Sequence, residues 1–137
     1  MAFAGYLLRV GSYEIDGTKY INYAKYNVTQ NIQDVDSYRD ANGELHRNAL
    51  DHVPIKIELE TKDNLTNTDM ATFFGTIRSN FSVPKERKAS VTAYIPEIDD
   101  YVTQAMYMPD PQFKIKKISK DKTTIYYESV RFAFIGY

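Results

Sequence analysis

The sequence predicts a mainly β fold: an antiparallel β-sandwich or barrel with one flanking α-helix and a protruding β-hairpin arm. Three observations point there. Twelve Tyr and seven Phe among 137 residues, with no Trp and no Cys, enrich the side chains that suit a pleated, half-buried surface. The stretch VPIKIELE alternates strictly, with Val53, Ile55, Ile57 and Leu59 on one face and Lys56, Glu58 and Glu60 on the other. Helical spacing occurs in a single segment, and four apolar runs separated by strand breakers follow it.

Taken in order, residues 6–10 and 13–15 read as short strands around Gly11, and Asp16-Gly17 marks a turn before a Tyr-rich extended stretch, Lys19 to Val28. The alternating strand over 53–60 comes next. In LTNTDMATFFGTIRSNF, Thr66 or Asn67 can cap and Asp69 suits the first turn. Met70, Phe73, Phe74 and Ile77 then stand at i, i+3, i+4 and i+7. The expected element is a short amphipathic helix of about 12 residues. Strands follow at Ala89–Ile95, Tyr101–Met108, Phe113–Ile118 and Thr124–Ile135, separated by Pro96, Pro109-Asp110-Pro111 and the polar turn 119–122. Residues 1–137 form one expected domain, with no internal repeat and no low-complexity linker.

The segment SYRDANGELHRNAL, Ser37 to Leu50, carries the turn pair Asn42-Gly43, which a two-residue type I′ hairpin prefers because both central residues need positive φ. Pairing outward sets Ala41 against Glu44, Asp40 against Leu45, Arg39 against His46, Tyr38 against Arg47, and Val35 against Leu50. One face then holds Ser37, Arg39, Glu44, His46 and Asn48, and the other holds Asp36, Tyr38, Asp40, Leu45 and Arg47. Neither face can lie on a hydrophobic core. An arm of seven residues per strand reaches roughly 23 Å, and a lone hairpin is marginal in water. The segment 36–49 is then either a solvated loop with a well-made turn or an assembly arm, held by a partner subunit through Asp36, Tyr38, Arg39, Asp40, Asn42, Gly43, Glu44, His46 and Arg47.

Charge and motifs exclude more than they suggest. Seventeen basic and eighteen acidic residues leave a net charge of -1, which speaks against a partner recognised mainly through phosphates. Residues 1–68 carry seven Lys/Arg and ten Asp/Glu, net -3, whereas 69–137 carry ten and eight, net +2, so copies could attract head to tail if the halves form opposite surfaces. The absence of Cys removes disulfides, thiolate metal sites and Cys nucleophiles. No stretch approaches a membrane span or a signal peptide, and the expectation is a chain made soluble in the cytosol.

An EF-hand reading of Asp40-Ala-Asn42-Gly43 fails, because its first and twelfth positions would be Tyr38 and Ala49. His46 and His52, with Glu44 and Asp51 near them, offer a metal or acid-base site only if they converge. No catalytic, cofactor or metal residue is assigned, and the chain is expected not to be an enzyme. Asp99-Asp100 follows Pro96 in an expected solvated turn. The basic runs at 85–88 and 114–120 read as solvated faces, the second alternating with Phe113, Ile115 and Ile118 as a half-buried strand would. Tyr20, Tyr23, Tyr26, Tyr126 and Tyr127 offer either a sugar platform or an interface, and otherwise rim the core.

The segment RDANGELHRNALDHVPIKIELE, a short helix after it, and the closing YYESVRFAFIGY together resemble small proteins of tailed phages and prophages. Those are similar in element order to the tail-tube family and its relatives, the distal tail and tube-terminator proteins. The resemblance, covering about Tyr13 to Tyr137, implies a structural, non-catalytic virion subunit of the tail tube or of the baseplate and tail end. It also implies closure into a six-fold ring, a homo-oligomer contacting other tail proteins, through the arm and sheet edges. It implies no cofactor, no membrane and no sequence-specific nucleic acid, with synthesis in the host cytoplasm. The contrasting expectation is a monomeric β-sandwich module that recognises host surface carbohydrate through exposed tyrosines.

Overall fold

The alternation of 55–60 becomes strand β6 (Ile55–Glu60), which starts after Pro54 because proline cannot donate to a ladder. Its Ile55, Ile57 and Leu59 are buried. The computed structural model describes residues 3–30 and 34–137. In it β6 lies inside a seven-stranded antiparallel sheet with β1 (Leu8–Val10), β2 (Tyr13–Glu14), β3 (Asn27–Gln30), β8 (Lys88–Ile95), β9 (Asp100–Tyr107) and β12 (Arg131–Gly136). The spatial order is β2-β1-β8-β9-β12-β6-β3, and every neighbouring pair is antiparallel. A second sheet, β10 (Ile115–Ile118), β11 (Ile125–Tyr127) and β7 (Leu65–Thr66), runs in the order β10-β11-β7, and β4 (Tyr38–Arg39) pairs with β5 (Leu45–His46) alone.

The expected helix is present as α2 (Asn67–Ser79), preceded earlier in the chain by a single helical turn, α1 (Gly17–Tyr20). Thr66 caps α2 in a capping box: its Oγ1 accepts from Asp69 N–H at 3.2 Å, and Asp69 Oδ2 accepts from Thr66 N–H at 3.2 Å. Met70, Phe73, Phe74 and Ile77 are all buried. Phe73 and Phe74 meet Phe132 of β12 edge-on at 5.7 and 5.5 Å, and Tyr20 stacks on Phe73 at 4.8 Å. One core therefore joins α2 to the face of the large sheet that carries Val10, Ile57, Leu59, Val91, Ala93 and Phe134. The fold is mainly β, antiparallel and sandwich-like, with one main helix, as the sequence predicts.

Three element readings change. The stretch Lys19 to Val28 is not one extended run: α1 is capped by the Asp16 side chain, and a 3₁₀ turn, Tyr23–Lys25, is capped by Asn22, before β3 begins. Local side-chain acceptors offered those backbone N–H groups a partner before a ladder could. The stretch Thr124–Ile135 is two strands in two sheets, β11 and β12. Between them fully buried Thr61 pins Val130: its Oγ1 accepts from Val130 N–H at 2.8 Å, and its own N–H donates to Val130 O at 2.9 Å. Finally, β10 is not half-buried; all four of its residues are exposed, and its pairing with β11 shifts between Ile115 and Lys117.

Candidate functional site

Edge strand β3 and its neighbour β6 pair from Asn27–Glu58 to Gln30–Ile55, and the chain between them forms the arm. Its far end is anchored by Gln104, whose Oε1 accepts from Ile55 N–H at 3.2 Å and whose Nε2 donates to Val53 O at 2.8 Å. Residues 34–52 are exposed throughout except Asp40, which is half-buried.

The turn differs from expectation. Gly43 N–H donates to Asp40 O, and Asp40 N–H donates to Glu44 O, each at 2.9 Å. Gly43 alone of the pair has positive φ, +83°. This is a type I turn over 40–43 followed by a left-handed glycine, the three-residue hairpin connection. Asp40 selects it: its Oδ1 accepts from the N–H groups of Asn42 and Glu44 at 2.9 and 3.0 Å, an Asx turn that the type I′ reading left out.

One extra loop residue moves the register by one, which exchanges the faces. Tyr38 now opposes His46, and Arg39 opposes Leu45. Tyr38, Asp40, Glu44 and His46 thus gather on one side, against the expected division of faces. The Tyr38 ring stacks on His46 at 4.9 Å, and His46 Nε2 lies 2.9 Å from Asp40 Oδ2. Arg39 Nη1 donates to Gly43 O at 2.8 Å. A second adjustment occurs at Asp36, whose φ of 54° is left-handed. Below it Asp34 bridges to Ala49, so Val35 does not oppose Leu50. Arg47 clamps the base by donating from Nε and Nη2 to the two carboxylate oxygens of Asp34, both at 2.9 Å.

Among the described residues, the hydrogen bonds that 34–50 make stay within that segment. Val35, Tyr38, Leu45 and Leu50 nevertheless remain 43–57 % exposed. The hydrogen bond from His46 and those from the Glu44 and Asn42 amides hold the Asp40 carboxyl below the usual carboxylate range. The Arg47 guanidinium, with Ser37, does the same for Asp34.

Sequence spacing did not bring Asp40, Glu44 and His46 together; the shifted register does, and their ligand atoms lie within 4.8 Å of one another. These three could hold a divalent ion by donor type, one imidazole and two carboxylates. His46 and His52 do not share a partner, since His52 bonds the carbonyl of Tyr137. Two open grooves of about 830 and 610 Å³ on the described surface are lined without histidine. The larger also lacks tyrosine. Tyr20 is buried, and Tyr26 and Tyr127 pack against the core, while Tyr23 stands 53 % exposed. Asp99 lies in a turn and accepts from the Tyr94 hydroxyl at 2.7 Å. Arg87 is structural, donating to Met108 O at 2.7 Å. Among the described residues no helix is long and apolar enough to cross a membrane.

Fold and site together define a mainly β domain that projects a self-contained hairpin from one edge of its larger sheet. The chain belongs to a family of unknown function, DUF6711, whose model matches residues 1–137. No curated protein and no solved structure matches it.

Proposed function

We propose that the chain is a non-catalytic structural subunit of a phage tail, tube or tail-end component, that assembles with copies of itself into a ring through the arm and sheet edges. The observation that carries this reading is the arm: a hairpin ordered by its own hydrogen bonds, the Arg47–Asp34 clamp among them, while Val35, Tyr38, Leu45 and Leu50 face water. A lone two-stranded hairpin buries too little to be stable by itself, and exposed Tyr38 and Leu45 on its strands, with Val35 and Leu50 at its base, suit a partner's surface. The likeness in element order to tail-tube proteins agrees with a contact repeated around a ring. The carbohydrate module gains no comparable support, because Tyr20 is buried and Tyr26 and Tyr127 pack against the core.

The test compares the full chain with one in which 36–49 is replaced by a short turn, by mass determination in solution and electron microscopy. The full chain is expected to form closed rings, and the shortened one to remain monomeric. A full chain that stays monomeric over the whole concentration range would sink the reading.

A further inference from the structure

Strand β10 presents a second set of apolar side chains without cover. Phe113, Ile115 and Ile118 alternate with lysines as on a half-buried strand, yet they are 46, 56 and 58 % exposed. Only Phe113 has aromatic neighbours, Phe74 at 5.2 Å and Tyr127 at 6.1 Å. The strand ends the order β10-β11-β7, so one of its sides has no partner strand. Unpaired strand edges are templates for strand addition. Segment 113–124 holds five lysines and one aspartate, net +4. Lys116 pairs with Asp63, while Lys114, Lys117, Lys120 and Lys122 have no carboxylate within salt-bridge reach among the described residues.

The arm is complementary in each respect. Segment 34–50 holds four carboxylates and two arginines, net -2, with exposed Tyr38 and Leu45 on its two strands. The other free edges suit it less. Strands β2 and β7 have two residues each, and β3 is the strand that precedes the arm in its own chain. We infer that the free edge of β10 in one copy receives the arm of the next copy, as added strands of the small sheet with β5 alongside β10, Leu45 against Ile115 and Ile118, and arm carboxylates among the lysines. This rests on the assembly reading above. The donor and acceptor surfaces differ, so the contact is heterologous and either closes into a ring or continues as a filament.

The test uses full-length chains, which contain no native cysteine. Leu45→Cys and Ile118→Cys variants are mixed and mildly oxidised. The mixture is expected to yield disulfide-linked dimers about tenfold above either variant alone, because an interface holds the two thiols at high effective concentration. It should exceed by the same factor a mixture of Leu45→Cys with Ile98→Cys, Ile98 being 53 % exposed elsewhere. Lys114→Glu with Lys120→Glu should lower the assembled fraction without changing the circular dichroism of the monomer, and adding Glu44→Lys should restore it. Rings that form with cross-linking at the control level, and that ignore the lysine reversals, would overturn the β10 assignment and leave the assembly reading standing. Monomers throughout, without cross-links, would overturn both.

Discussion

Asp40 decides the shape of the arm's tip, because one carboxylate serves two backbone N–H groups and the His46 ring. Asn42-Gly43 announces a turn in the sequence, but its type depended on the residue two positions earlier, whose side chain competes for the same amides. The depressed pKa of Asp40, and of Asp34 beside Arg47, gives the arm a pH dependence of definite sign. A carboxyl whose folded pKa lies below its unfolded value, about 3.9, contributes stability that is present above that value and lost as pH falls through the folded one. Arm amides such as Glu44 N–H are therefore expected to lose protection, relative to the intrinsic exchange rate at each pH, below about pH 4, while core amides stay protected, as hydrogen exchange read by NMR would show. Gly136 is a second position decided by space. A Cβ there would stand 2.9 Å from Ile55 N and 3.1 Å from Pro54 Cα, backbone that cannot swing aside. Gly136→Ala is expected to lower stability by about 1–3 kcal/mol in denaturant titration.

At the scale of elements, α2 was fully legible: a threonine cap, an acidic first turn and four apolar residues at helical spacing produced the helix, and the same four side chains fill the core. Strand β6 was legible for the corresponding period of two. The split between β11 and β12 was not. Glu128, Ser129 and Val130 include no glycine or proline, and the chain leaves one sheet for the other only because buried Thr61 on a distant segment takes both backbone groups of Val130. Thr61→Val keeps the shape and removes the acceptor, so Val130 N–H is left buried without a partner. We expect a loss of about 1–3 kcal/mol, read as a lower denaturant midpoint with an unchanged slope, whereas full stability would show that the hydroxyl is dispensable. Strand β10 was misread for a related reason. Alternation records what a strand could bury, and no described element of the chain covers Ile115 or Ile118.

For the molecule as a whole, the body and the arm are energetically separate. The core comprises residues of the large sheet, α2 and their neighbours, and none from 34–50. Replacing 36–49 by a short turn is accordingly expected to leave the thermal midpoint of the monomer nearly unchanged in calorimetry, while abolishing assembly. A large fall in that midpoint would mean that the arm braces the body. Added salt should weaken assembly, since a contact between the net -2 arm and the net +4 segment 113–124 is screened beyond a Debye length of about 8–10 Å.

By itself, the sequence determined the fold class, the helix with its cap, the buried face of β6 and the presence of a polar hairpin, because these follow from period, capping chemistry and turn residues that act within a few positions. Tertiary structure alone decided the hairpin's register, the gathering of Asp40, Glu44 and His46, the break before Val130 and the exposure of Ile115 and Ile118. Each of those turns on one hydrogen bond or one missing neighbour contributed from elsewhere in the fold, which spacing along the chain does not encode.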